Sequence, residues 1–89
     1  MNADEVRKIL KEDFVEVLFK KKDGSLREMF CTLIPEAIPE GISTGNAISN
    51  EVITVWDLEA KGWRSFRLDS VIWMEFEDES GNLRREEFS

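Results

Sequence analysis

The stretch from Gly62 to Val71, "GWRSFRLDSV", sets two arginines, two aromatic rings and an aspartate within ten residues. These side chains suit one kind of chemistry. A guanidinium grips phosphate through paired N–H donors, and an indole stacks on a nucleobase. Strand alternation sends Trp63, Ser65 and Arg67 to one face and Arg64, Phe66 and Leu68 to the other. Phe66 and Leu68 then point to the core, which obliges Arg64 to emerge at the strand end or barrel rim. Trp56 and Trp73 share the outer face with Trp63 and Arg67. Trp56, Trp63, Arg64 and Arg67 are therefore the candidate ligand-binding residues. A structural role competes with this for Arg67, which can pair with Asp57 or Asp69 and lock the corner while the tryptophans cover the flank. Asp57 and Asp69 are the expected corner residues.

Catalysis has little support. The chain has no histidine, so the commonest acid–base group and the commonest metal ligand are both missing. Spacing alone singles out no carboxylate pair among 19 acidic residues. Cys31 alternates inward between Met29 and Leu33 and reads as a small core residue, not a nucleophile. "GISTG" lacks the Lys-Ser/Thr ending of a phosphate loop. The expectation is a protein that is not an enzyme, with no metal and no cofactor.

The elements that position these residues read as follows. Asn2 caps a helix through about Glu12, with Glu5 completing a capping box and Val6, Ile9 and Leu10 forming its apolar stripe. Strands are expected at 14–22, 25–33, 52–58, 63–68 and 71–77. Side-chain parity fixes the first hairpin. Val17 faces Met29 only if paired residue numbers sum to an even value, which requires a three-residue Lys22-Asp23-Gly24 loop with Gly24 left-handed in a bulge. Val15, Val17, Phe19, Met29, Cys31, Leu33, Ile53, Val55, Phe66, Leu68, Ile72, Met74 and Phe76 form the expected core. Pro35 and Pro39 end the second strand around a 3₁₀ turn, and residues 40–50 read as a mobile loop. The tail, 80–89, folds back as a weak hairpin or stays loose. One short helix and five short strands in 1–79 predict a mainly β, small curled barrel that removes strand edges by closing on itself.

Composition narrows the partners. A net charge of −7 opposes a general DNA coat, yet Lys20, Lys21 and Lys22 form one basic knot and Arg64 and Arg67 another. No apolar run is long enough to span a membrane, and "MNADEVRKIL" lacks a signal-peptide core, so a cytoplasmic setting is expected. Phe14, Leu18 and Phe30 make an apolar outer patch that points to a homo-oligomer.

"VWDLEAKGWRSFRLDSV", together with "KKDGSLREMFCTL" upstream, resembles the small phage-encoded WYL-like family with an Sm-like, Src-homology-3-type barrel. The resemblance covers about residues 3 to 76. Where WYL domains carry their Trp-Tyr-Leu triplet, this chain has Glu51, Val52 and Ile53. The resemblance implies a five-stranded Sm-like barrel preceded by one helix, acting as a phage accessory module in a host bacterial cytoplasm. It also implies sensing of nucleic acid or a nucleotide through basic and aromatic side chains, of which Arg64 and Arg67, with Trp63 beside them, match. The rival expectation is an acidic protein–protein interaction module. Its partner would be a host transcription or defence protein that handles nucleic acid.

Overall fold

A computed structural model describes residues 2–39 and 51–88. Helix α1 spans Ala3–Glu12. The Asn2 side chain accepts the Glu5 N–H at 2.9 Å and stops the helix from fraying at its start. Strands β1 (Val15–Lys20), β2 (Leu26–Thr32), β3 (Val52–Asp57), β4 (Gly62–Arg67), β5 (Val71–Glu77) and β6 (Leu83–Glu87) make one antiparallel sheet, ordered β4-β3-β2-β1-β5-β6. Short 3₁₀ turns sit at Pro35–Ala37 and at Leu68–Ser70 between β4 and β5.

The first hairpin has the register that parity requires. Val17 pairs with Met29 and Val15 with Cys31. Lys21 and Ser25 close a three-residue loop, and Gly24 has φ +92°. Asp23 fastens the loop by accepting both the N–H and the hydroxyl of Ser25, at 2.9 and 2.6 Å.

Three expectations need correction. The strands number six, because the tail forms β6 through a second turn of the same kind: Asp78 and Asn82 close it and Gly81 has φ +81°. The sheet is open, with β4 and β6 as its edges, instead of a closed barrel. The inward residues of β5 also change. A bulge against β1 places Leu18 opposite Trp73 but Phe19 opposite Val71, so Val71 turns inward and Ile72 becomes half-buried.

The open sheet is nevertheless strongly curled. Phe66 of β4 stacks on Phe19 of β1 at 5.8 Å, although β3 and β2 separate these strands in the sheet order. A flat sheet would hold them about 14 Å apart. The curl is possible because β2 and β3 share only two paired positions, Cys31 with Asp57 and Thr32 with Trp56. Val15, Val17, Met29, Cys31, Ile53, Val55, Phe66, Val71, Met74 and Phe76 fill the interior, and Ala3, Val6 and Leu10 of α1 close one end. Phe19, Leu33 and Leu68, expected in the core, pack on it half-buried. Thr32 ties helix to sheet: its buried hydroxyl lies 2.9 Å from the Asp13 carbonyl and accepts the Ile34 N–H. Residues 40–50, read as a mobile loop, lie outside the described residues.

Candidate functional site

The β3–β4 register decides where the expected site residues point. Asp57 pairs with Gly62, Trp56 with Trp63, Val55 with Arg64, Ile53 with Phe66 and Val52 with Arg67. Trp56 and Trp63 therefore share the face away from the core and meet edge to face at 5.4 Å. Trp56 is only 5% exposed, so its ring offers no open stacking platform. Trp63 is half-buried, and its enclosed indole N–H finds no acceptor among the described residues. Arg64 is exposed at the rim. Its guanidinium bonds the Trp63 carbonyl at 2.9 Å, and no carboxylate among the described residues pairs with it.

The two corner aspartates do different work. Asp57 is 2% exposed and accepts the N–H groups of Glu59 and Ala60 at 2.9 and 3.0 Å, shaping the turn into β4. Its other oxygen pairs with Arg27 at 3.3 Å, and Arg67 is not its partner. Arg27 is the partner that sequence reasoning missed. Arg67 instead meets Asp69 at 3.2 Å and Glu51 at 3.9 Å, with its side chain 52% exposed. This pair is solvated, so it makes a weak lock on the corner. The hydrogen bond from Arg67 holds the Asp69 carboxyl below its ordinary range.

The curl of the sheet creates a cleft that no single stretch of sequence contains. Its volume is about 430 Å³, and Lys20, Lys21, Lys22, Arg67, Ser65, Ser70, Phe19, Phe66 and Val52 line it. Of the four residues singled out in the sequence, Arg67 alone lines this cleft. Trp56, Trp63 and Arg64 stand outside it. None of the three lysines forms an ion pair among the described residues, so their charge is open to a ligand. Phe19, half-buried and braced by Phe66, supplies an apolar wall. The Ser65 hydroxyl adds a neutral donor, while the Ser70 hydroxyl donates to Asp69 at 3.5 Å. Cations, a hydroxyl and one aromatic wall together fit an anionic ligand that has a flat or apolar part.

The fold is a curled, open antiparallel sheet, entered by one helix and turned by a 3₁₀ corner before β5. Residues 3–72 match the family model WYL_2, described as Sm-like SH3 beta-barrel fold, and the chain belongs to that family. Neither the curated proteins nor the solved structures gave a match. Among the described residues no helix is long and apolar enough to cross a membrane, and no cluster of potential ligands could hold a metal ion.

Proposed function

We propose that this protein is a non-enzymatic binding module for a phosphate-bearing ligand of nucleic-acid or nucleotide type. One observation carries the reading. The fold brings the Lys20–Lys22 knot and Arg67, distant in sequence, to the walls of one cleft on a chain of net charge −7. On a protein this acidic, three lysines that form no ion pair among the described residues, set beside Arg67 and its solvated partners, are a focused field that attracts anions. Phosphate takes up the lysines and Arg67, while Phe19 packs against a sugar or base. Arg64 and Trp63, on the same strand as Arg67 but outside the cleft, extend the binding surface for a longer ligand. A binding role fits better than catalysis, because no carboxylate among the described residues lines the cleft, and Asp69 beside Arg67 is engaged by that guanidinium. The family resemblance supports a phage accessory role in a host bacterial cytoplasm.

Amide chemical shifts of the labelled protein, followed during titration with a single-stranded oligonucleotide and with a nucleoside triphosphate at low salt, test the reading. Shifts centred on Phe19 to Lys22, Ser65 and Ser70 are expected with at least one ligand. A spectrum that neither ligand changes refutes it.

A further inference from the structure

The outer face of the sheet carries a second surface of opposite character. Across β2, β1, β5 and β6 the register places Phe30 beside Glu16, Glu16 beside Glu75, and Glu75 beside Arg85. Glu28 lies diagonally from Glu16 on the same face. Like charges on facing strands oppose pairing. Arg85 bonds Glu75 at 3.1 Å and acts on Glu16 through its charge, and no cation among the described residues forms an ion pair with Glu16 or Glu28. Apolar side chains border the acids. Phe14 (48% exposed) and Phe30 (38%) meet edge to face at 5.9 Å, and Leu83 stands 71% exposed beside them. Phe14, Phe30 and Leu83 line a groove of about 340 Å³ with Glu16, Glu75 and Glu77.

We infer that this groove docks a basic segment of a partner protein, one that presents arginine or lysine next to an apolar anchor. Charge complementarity identifies the occupant. Phe14, Phe30 and Leu83 gain by shedding water, but the carboxylates among them reject an acidic or purely apolar segment. A guanidinium set between Glu16 and Glu28 supplies the countercharge that the face lacks, while the anchor enters the groove. Glu16 reports the strain. Its hydrogen bond to Glu28, reinforced by desolvation and by the charges of Glu28 and Glu75, raises its pKa above the ordinary 4.5. A bound cation would lower it again. The face lies beyond the first residues of β1, and the basic cleft lies at the other end of that strand, so the two surfaces are separate.

The probe is a short synthetic peptide of alternating arginine and leucine, titrated into the labelled full chain at low salt. Expected are shifts centred on Glu16, Phe30 and Leu83, together with a fall in the Glu16 pKa. The double variant Glu16→Gln/Glu28→Gln should bind about tenfold more weakly. Its melting temperature should not drop, because it removes a repulsion, so weaker binding will not reflect poorer folding. Phe14→Ser should also weaken binding, whereas Ala at Lys20, Lys21 and Lys22 should not. Peptides with glutamate for arginine, or glycine for leucine, should fail to bind. Unchanged affinity in the double variant overturns the inference. So does sedimentation as a dimer that Phe14→Ser dissolves, which would assign the face to a second copy of the chain.

Discussion

Arg67, which lines the basic cleft, forms an ion pair with Asp69, with Nε 3.2 Å and Nη2 3.4 Å from the two carboxylate oxygens. The same guanidinium edge would receive a ligand phosphate, so Asp69 occupies Arg67 as an internal competitor. Asp69→Asn should tighten phosphate binding by about threefold to tenfold at low salt, because one opposing charge leaves the site. Isothermal titration of both proteins with one oligonucleotide measures this. Weaker binding in the variant would mean that the pair positions Arg67 instead of occupying it.

The Arg27–Asp57 pair belongs to stability. Asp57→Ala removes a buried carboxylate that accepts two turn N–H groups and one guanidinium. The cost should be about 2–3 kcal/mol. A double-mutant cycle with Arg27→Ala should show a coupling above about 0.5 kcal/mol, measured by chemical denaturation. Strictly additive effects would show that the pair is not coupled.

How far the fold is legible in the sequence depends on the distance over which each rule acts. The Lys22-Asp23-Gly24 loop is legible because side-chain alternation and one left-handed glycine jointly fix the register of a short hairpin. Asp78 to Asn82 uses the same device, but β6, "LRREE", offers no apolar alternation to declare a strand. The Ile72 bulge is invisible because alternation, read along one strand, cannot register an extra residue on that strand relative to its partner. The Asp57–Arg27 pair depends on how β3 docks on β2 after a long connection, which no local rule sets. The site is half legible for the same reason. Composition marks Lys20–Lys22 and Arg67 as basic, but only the curl that stacks Phe66 on Phe19 brings them to one cleft.

Gly24 gives a direct test of the parity argument. At φ +92° a Cβ would meet nothing within 4 Å, so Gly24→Ala acts through backbone strain alone. It should destabilise by about 1–2 kcal/mol. Gly62 is the control: its backbone is ordinary, and an added Cβ would lie 3.6 Å from the Arg64 side chain. Gly62→Ala should change stability by no more than about 0.5 kcal/mol. Equal melting temperatures for the two variants would contradict a left-handed Gly24.

Cys31 should be chemically silent. Burial, followed by the nearby Asp57 carboxylate, pushes its thiol pKa up to about 12, and its Sγ lies 3.6 Å from the Val15 carbonyl. At pH 8 almost no thiolate forms in the folded protein, so alkylation should follow global unfolding and accelerate sharply in denaturant. Labelling of the native protein at the rate of a free thiol would refute the placement.

The proposed anion binding by the basic cleft is tested most directly by its salt dependence. Fluorescence anisotropy of a labelled single-stranded oligonucleotide should report binding at low salt, with log K falling linearly against log salt. Replacing Lys20, Lys21 and Lys22 together by alanine should weaken binding and flatten that slope by about 2, since each phosphate no longer neutralised takes away about 0.7. No binding at low salt, or a slope that the triple replacement leaves unchanged, would contradict it.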